Sequence, residues 1–310
     1  MTANPSEPTR LIDLEAPVQQ LRQQFDALVA EHRPHLWRYC LKLTGSPWDA
    51  EDLVQDAFVR AFTHVAMLAH ADNPRAYLFR VASNAWIDTR RRAKPVADLD
   101  AAAEVPAPET AATPWETNDA LEAVVTHLPP RQRVVFLLVD AFSFRTSEVA
   151  VMLRSSEGAI KAMLHRARST LRAAVTRPAD AAVKAAPPAP LVRRYVDALN
   201  RRDPDALVAL FDPIAINELV GLGELVGLDM LRMVFLRWAA DPQGQSAEVA
   251  TVDGREVVFV YSKAADGSKS LTAVVDLIVE GDRIVAQRWY QGSRELLTYA
   301  TSAAQHPGEH

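Results

Sequence analysis

Residues 157–172 read EGAIKAMLHRARSTLR, and they carry two helical stripes side by side. Apolar residues recur at positions 160, 164, 167 and 171, and basic residues, with His165 counted among them, recur one position later. Each spacing places its members on a single helix face. Upstream, SFRTSEVAVMLRSS (residues 143–156) indicates a short helix over about 146–153 and a tight turn near residues 154–156. The region therefore predicts two helices joined by a turn, the second with a basic outer face.

Such a pair is similar to a helix-turn-helix, whose second helix enters the major groove of DNA. Ser155 or Ser156 can cap the second helix and bring its N-terminus near a phosphate. The alternative is that the basic stripe is the solvated face of an ordinary bundle helix, because charged stripes are common on helices. This stretch by itself leaves both interpretations open.

Length and composition limit the classes of protein that remain. The chain has 310 residues, enough for about two domains, and its net charge of −5 argues against a uniformly basic surface. A single cysteine, Cys40, excludes an internal disulfide and a site of paired cysteines. The N-terminus lacks the basic start and apolar core of a signal peptide, and no run of about 18 apolar residues predicts a membrane span. We expect a soluble, cytoplasmic protein with no metal, no cofactor and no membrane partner.

Two segments have the composition of linkers. Residues 94–114 are rich in Ala, Pro and acidic residues, and residues 177–189 lead into a Pro cluster that no helix would survive. They divide the chain into three parts, residues 18–93, 115–176 and 190–301.

The first two parts show helical periodicity, and the third combines helices with strands. In residues 49–62, helical spacing places apolar residues on one face and acidic residues on the opposite face. Residues 74–92 begin with Pro and end in three arginines, as the helix dipole favours. After a helical start, the third part contains the β-branched and aromatic runs EVVFVYS, LTAVVDLIV and RIVAQRWYQ, with turns at DGSK and EGDR. This order predicts a separate α+β domain with an antiparallel meander.

Four segments, DAEDLVQDAFVRAF, NPRAYLFRVASNAWIDTRRR, LPPRQRVVFLL and EGAIKAMLHRARSTLR, occur in this order. Together they closely resemble regions 2.2, 2.3–2.4 and 4 of extracytoplasmic-function (group 4) RNA polymerase sigma factors, over about residues 18–175. In the last segment the residues at 158, 161 and 164–168 match the family pattern, whereas those at 159, 162 and 163 depart from it. The resemblance implies an all-α sigma region 2 domain and a helix-turn-helix region 4 domain. Such a protein binds core RNA polymerase and directs promoter recognition and transcription initiation.

The resemblance also implies three binding surfaces. The acidic face of the first helix would dock on the β′ clamp helices of core polymerase, through Glu51, Asp52, Gln55 and Asp56. The second helix would meet the melted −10 element of promoter DNA, through Asn84, Trp86, Asp88, Arg90, Arg91 and Arg92. The basic helix would read the −35 element, through Ser156, Glu157, Ala159, Lys161, Ala162, His165, Arg166 and Arg168. The β flap of polymerase is a further implied partner.

Simpler interpretations stand beside three of these assignments. The acidic stripe can be an ordinary solvated face. Trp86 lies one turn from apolar residues and can belong to the core, and Asp88 can be the structural partner of a nearby arginine. We expect the two sigma domains to share little interface.

Residues 190–301 resemble, by pattern, the SnoaL-like (nuclear-transport-factor-2-like) cone fold. That fold builds a pocket between its sheet and its helices, and the aromatic candidates to line it are Tyr195, Phe211, Trp238, Tyr261, Trp289 and Tyr290. The alternative is that these aromatic residues fill the cone. Glu218, Asp276 and Arg288 are candidate polar groups of the pocket.

Enzymes of this fold use Asp/His or Asp/Tyr pairs, and residues 190–301 contain no histidine. We therefore expect a domain that modulates sigma activity, with a small ligand or regulator as its candidate partner, and no enzymatic activity. One alternative is a SnoaL-like enzyme fused to a DNA-binding module, against which the missing histidine counts. Another is a stand-alone helix-turn-helix regulator, which would not need the helices at 49–62 and 74–92.

Overall fold

The computed structural model describes residues 15–63, 73–93, 128–174, 190–241, 245–263 and 268–306. The chain forms two compact units, residues 1–176 and 177–310, each with its own core. The predicted linkers at 94–114 and 177–189 lie outside the described residues. Within the described ranges, no helix combines the length and the apolar composition needed to cross a membrane.

The first described helices of the first unit are α1 (Glu15–Thr44), α2 (Pro47–Thr63) and α3 (Pro74–Ala93). Gly45 ends α1 with a φ of 77°, a left-handed conformation that glycine adopts without strain, and its N–H bonds to the Leu41 carbonyl at 2.8 Å. Both helices predicted from periodicity, at 49–62 and 74–92, are confirmed.

The second half of this unit contains α4 (Pro130–Phe136), α5 (Thr146–Met152) and α6 (Glu157–Ala174). A π-helical segment, Leu137–Ala141, continues α4, and its wider turn precedes the residues that enter α5. The predicted short helix, turn and basic helix are confirmed. The apolar stripe of α6 is buried, as its spacing predicts: Ile160, Leu164, Ala167 and Leu171.

The two halves of this unit share an aromatic contact. Phe142, which follows the π-helical segment, lies 5.3 Å from the ring of Tyr39 on α1 and 5.3 Å from that of Phe79 on α3. Phe144 lies 5.2 Å from Phe79. Arg75 donates to the Phe142 carbonyl at 2.8 Å and covers the Phe144 ring at 4.4 Å. The expectation that the sigma domains share little interface is therefore wrong, because aromatic residues of one half complete the core of the other.

Within its described residues, the second unit contains four helices and a six-stranded sheet. The helices are α7 (Pro190–Arg201), α8 (Pro204–Val208), α9 (Leu228–Ala239) and α10 (Arg294–Gln305). The strands are β1 (Phe211–Leu219), β2 (Gly223–Val226), β3 (Gln245–Val252), β4 (Arg255–Lys263), β5 (Lys269–Glu280) and β6 (Arg283–Gln291). They lie in the order β2-β1-β6-β5-β4-β3, with β1 parallel to β6 and every other neighbouring pair antiparallel.

The meander predicted from the three β-branched runs is confirmed as β4 to β6, and the α+β fold class is confirmed with it. One face of the sheet packs on α7, α8 and α9 and buries the main core, which includes Leu199, Phe211, Phe235 and Val258. Helix α10 contacts β3 and β5. Because successive residues of a strand point to opposite faces, Gln287 and Trp289 face the first set of helices and Arg288 and Tyr290 face away from them.

Candidate functional site

The acidic face of α2 is only partly available to a partner. Asp52, Gln55 and Asp56 are half-buried, and the Asp56 carboxylate accepts a hydrogen bond from Arg60 Nε at 2.8 Å. This i, i+4 pair lies on the surface, where such pairs contribute little to stability. The two aspartates thus leave a carboxylate surface that suits basic partner side chains.

Glu51 does not belong to that surface, and the prediction that it docks on polymerase is wrong. Its side chain is fully buried, and Oε1 accepts hydrogen bonds from Arg33 Nη2 at 2.5 Å and Gln55 Nε2 at 2.9 Å. The carboxylate connects α2 to α1. Helical spacing places Glu51 at the edge of the acidic face, but no local pattern identifies a partner on another helix.

The predicted −10 surface lies along the second half of α3. Five of its six residues are exposed: Asn84, Asp88, Arg90, Arg91 and Arg92. Asp88 lies 3.9 Å from Arg91, in agreement with the interpretation of Asp88 as the partner of a nearby arginine. The three arginines at the helix end form a cationic surface suited to phosphates.

Trp86, the sixth residue, is 4% exposed and cannot stack on a base in this arrangement. The guanidinium groups of Arg90 and Arg133 lie 5.4 and 5.3 Å from its ring centre. Arg133 comes from α4, is itself buried, and donates to the carbonyls of Leu43 and Leu128 at 3.2 and 3.3 Å. Burial, followed by repulsion from Arg90, lowers the pKa of Arg133 to about 10. Arg133 is not among the residues predicted from the sequence, where its only signal is a cation directly before the apolar run VVFLL.

The outer surface of α6 carries most of the predicted −35 residues. Ser156 caps the helix by accepting the N–H of Ala159 at 3.1 Å. Glu157 accepts from the Thr146 hydroxyl at 2.8 Å and pairs with Lys161 at 3.2 Å, and these partners lower the pKa of its carboxyl. The exposed members of the predicted set are Ser156, Glu157, Lys161, His165 and Arg166, and the half-buried ones are Ala159 and Ala162.

Arg168 is held inside the domain, which corrects its assignment to the DNA surface. Its Nε and Nη2 donate to the two carboxylate oxygens of Asp140 at 2.9 and 2.6 Å, and the Asp140 side chain is only 8% exposed. This hydrogen bond is the main cause of the raised pKa of Arg168. Position 168 lies one turn from both Leu164 and Leu171, so it borders the buried stripe.

In the second unit, two of the six predicted aromatic residues line a cavity of about 530 Å³. Trp238 and Trp289 lie there together with Phe235, Gln245 and Gln291. Tyr195 and Phe211 are fully buried and fill the core. Tyr261 bonds to Glu248 at 2.6 Å, and Tyr290 is buried on the opposite face of the sheet. The prediction that these four residues line the pocket is wrong. Tyr195 and Phe211 are part of the packed core between sheet and helices, and neither Tyr261 nor Tyr290 lies in the wall of the cavity.

The candidate charged groups of the pocket lie on the far face of the sheet. Arg288 donates to both oxygens of Glu218 at 2.6 and 3.2 Å, and Arg255 donates to Asp276 at 2.5 Å. Asp276 is buried, and burial raises its pKa against the opposing effect of the two arginines. Among the described residues, no group of three His, Cys, Asp or Glu side chains could hold a metal ion.

Three family models match successive parts of the chain. A Sigma-70 region 2 model matches residues 28–96, and a Sigma-70 region 4 model matches residues 118–171. A SnoaL-like domain model matches residues 192–305. The order agrees with the three parts described above.

Two curated relatives are similar to more than half of the chain. The ECF RNA polymerase sigma factor SigG of Mycobacterium tuberculosis is 33% identical over 250 residues, which cover 68% of this chain and 67% of the relative. SigJ of the same organism is 33% identical over 207 residues, covering 61% and 62%.

Two solved structures are similar in part. The crystal structure of M. tuberculosis SigJ covers 90% of this chain and 98% of its own at 24% identity and a TM-score of 0.33. The sigma factor RpoE of Bartonella quintana, solved with the anti-sigma factor NepR, covers 50% of this chain at 25% identity and a TM-score of 0.39. On the strength of the region 2 and region 4 matches and the identity to SigG, the chain belongs to the extracytoplasmic-function family of RNA polymerase sigma factors and carries a C-terminal SnoaL-like domain.

Proposed function

We propose that this sigma factor docks on core RNA polymerase through α2, contacts promoter DNA through α3 and α6, and has its activity modulated by the SnoaL-like domain. The observation that carries the proposal is the presence of two exposed cationic helix surfaces in one sigma unit. One is the end of α3, Arg90 to Arg92, and the other is the outer face of α6 around His165 and Arg166. Cations in such positions bind phosphates and release counterions.

The surface of α2 that we propose for polymerase binding contains fewer carboxylates than the sequence predicts. With Glu51 buried, Asp52 and Asp56 supply the carboxylates that would face the β′ clamp helices. Region 4 would meet the β flap. We propose three functional modules, residues 18–93, 115–176 and 190–301. The last module extends to Gln305, where α10 ends.

The contact between the two sigma halves supports a closed, silent arrangement. It buries Phe144 against Phe79 and covers Trp86 with Arg133, so the −10 helix cannot offer its tryptophan to DNA. Polymerase binding would then have to separate the halves. A switch of this kind needs only a few kcal/mol between its two states, and a ligand acts through its different affinity for them.

The chemistry of the tail favours regulation over catalysis. On β1 and β6, the polar side chains that face the helices are amides and an indole, at Asn217, Gln287, Trp289 and Gln291. The nearby carboxylates of Glu218 and Asp276 lie on the other face and pair with arginines. Asp241 lies in the cavity wall, and its carboxylate accepts a hydrogen bond from Gln245 Nε2 at 3.2 Å. Amides bind and orient a ligand, but they do not exchange protons near neutral pH as general acids and bases do.

Run-off transcription with core polymerase tests both parts of the proposal. The full chain is compared with a truncation after residue 176, which ends the first unit. We expect promoter-dependent transcript from both, with the truncation higher if the tail restrains the sigma unit and lower if the tail supports its active form. Equal transcript at every concentration would contradict modulation by the tail, and no transcript from either protein would contradict promoter initiation.

A further inference from the structure

Helix α9 of the SnoaL-like domain has two apolar faces. Leu231 and Phe235 are buried and pack into the core beneath the helix. Met230, Met233 and Leu236 are exposed, and Met233, in the middle of the three, is 65% exposed. A helix at the surface of a domain ordinarily presents polar residues to solvent, so an exposed apolar face of this kind is typical of an interaction surface.

The apolar surface continues past the N-terminal end of α9. The N–H of Gly227 donates to the Ala215 carbonyl at 3.0 Å, which brings the start of α9 next to β1. Ile214 and Val226, near this end of the helix, are both exposed. Of the twelve large apolar side chains that are exposed among the described residues, seven fall within residues 214–236. Exposed apolar residues are therefore concentrated on this side of the domain.

Two charged residues of opposite sign flank the exposed apolar face. Asp229 directly precedes Met230, and Arg237 directly follows Leu236, and both charged side chains are exposed. Arg232 differs from them, because it already pairs with Asp205 on α8 at 2.6 Å. The face thus ends in an anion on one side and a cation on the other, both open to a partner.

The face is also symmetric in its chemistry. Met233 lies at its centre, Met230 and Leu236 are each three residues away, and Asp229 and Arg237 are each four residues away. Steps of three and four residues keep all five on one side of a helix. When two copies of α9 lie antiparallel with Met233 of each at the centre, Asp229 lies level with Arg237 of the partner subunit at both ends. A two-fold symmetric interface requires self-complementarity of this kind.

We propose that this face binds a second copy of the chain, in a two-fold symmetric dimer built on antiparallel α9 helices. The flexible methionine side chains would pack against each other, and the two pairs of Asp229 with Arg237 would fix the antiparallel orientation. Helix α9 has 12 residues and is about 18 Å long. A helix pair of this length buries less than the roughly 800 Å² per partner of a standard interface, so the dimer dissociates on dilution. The pairing goes beyond the proposed function and needs neither polymerase nor DNA.

Exchange of the two charges tests whether they pair between copies. Sedimentation velocity over a concentration series gives the Kd of the full-length dimer. Asp229→Arg and Arg237→Asp should each weaken dimerisation at least about 10-fold, because like charges then meet at both ends. An equimolar mixture of the two variants should dimerise again, because one chain then carries two arginines at these positions and the other carries two aspartates. Arg194→Asp, the same charge change at an exposed position on α7, should keep the parental Kd.

A cysteine at the centre of the face tests the geometry. Met233→Cys should form a disulfide between two chains in the presence of oxidised glutathione, because the proposed symmetry axis brings the two copies of this residue together. Val151→Cys, at a similarly exposed position on α5, is the matched control and should not cross-link. The native Cys40 is fully buried and does not compete.

Two results would overturn the proposal. The first is a full chain that stays monomeric at every concentration, which would assign the apolar face to a different partner. The second is a mixture of the two charge variants that dimerises no better than either variant alone. If Asp229→Arg fails to fold, as thermal unfolding would reveal, Met233→Cys decides the matter, and cross-linking no faster than that of Val151→Cys would contradict the dimer.

Discussion

Neighbouring acidic residues on α2 have different roles, and substitutions distinguish these roles. Asp52 and Asp56 keep part of their side chains in solvent, whereas Glu51 is buried against Arg33. We expect Asp52→Lys with Asp56→Lys to weaken binding to core polymerase, because the carboxylate surface is reversed, while the free energy of unfolding changes by no more than about 1 kcal/mol. Glu51→Ala should instead destabilise the unit by on the order of 3 kcal/mol, because the inner arginine loses its partner.

A polymerase titration and urea unfolding of each variant provide the two measurements. Unchanged polymerase affinity in the double lysine variant would rule out docking through this face. An unfolding midpoint of Glu51→Ala equal to that of the parent would mean that the buried pair adds nothing to stability.

The arginines of α6 differ in the same way. Arg166 is exposed, whereas Arg168 forms a bidentate ion pair with the nearly buried Asp140. Arg166→Ala should weaken binding of the holoenzyme to promoter DNA and, for a lost phosphate contact, reduce the slope of log affinity against log salt by about 0.9. Arg168→Ala should lower stability by on the order of 3 kcal/mol, because it leaves Asp140 buried and unpaired.

Binding across a salt series, together with thermal unfolding, distinguishes the two arginines. The assignment of Arg166 fails if both affinity and slope stay at their parental values. If the Arg168→Ala protein is stable and shows a reduced slope of log affinity against log salt, Arg168 contacts DNA.

At the scale of the elements, the π-helical segment decides how the two sigma halves meet. Its extra residue per turn brings Phe142 and Phe144 to Tyr39 and Phe79. We expect Phe142→Ala combined with Phe144→Ala to shift the sigma unit toward an open form, because the aromatic contact between the halves is lost. Val151→Ala, at a position 73% exposed on α5, is the matched control.

Energy transfer between dyes at Asp49→Cys and Arg172→Cys measures the opening. Both positions are exposed, and the native Cys40 is fully buried and does not compete for the dyes. The double variant should show lower transfer than the control while its helical content stays the same. Equal transfer in both would mean that the aromatic contact does not hold the halves together.

The sequence predicts some elements well and others poorly, for identifiable reasons. Helices α2, α3 and α6 have long amphipathic periods, and β4 to β6 have β-branched runs, so local pattern is sufficient to predict them. The short helix α5 is predicted from its place before a turn and a basic helix. Strand β1 was not predicted, since Pro213 and its polar neighbours interrupt its alternation and its pairing with β6 comes from distant sequence. Likewise, periodicity predicts the faces that hold Glu51 and Arg168, but their partners Arg33 and Asp140 lie 18 and 28 residues away.

At the scale of the whole molecule, the family-specific motifs predict more of the domain organisation than composition or periodicity does. Four ordered motifs predict the sigma unit, its helix-turn-helix and most of the exposed residues on the surfaces that we propose for binding. The cone fold of the tail follows from pattern alone, but its cavity does not, because which aromatic residues line a void depends on how sheet and helices close on each other. Six aromatic candidates therefore reduce to Trp238 and Trp289.

The parallel pairing of β1 with β6 also affects how the protein is made. Strand β1 ends at Leu219, and the strand that it pairs with ends at Gln291, so the central sheet cannot close until nearly the whole chain has left the ribosome. Helix α6, the last of the sigma unit, ends at Ala174. At a translation rate of about 5–20 residues per second, the sigma unit has on the order of 10 s to fold first. Each newly synthesised molecule thus passes through an interval in which a folded sigma unit exists without the finished domain that we propose to modulate it.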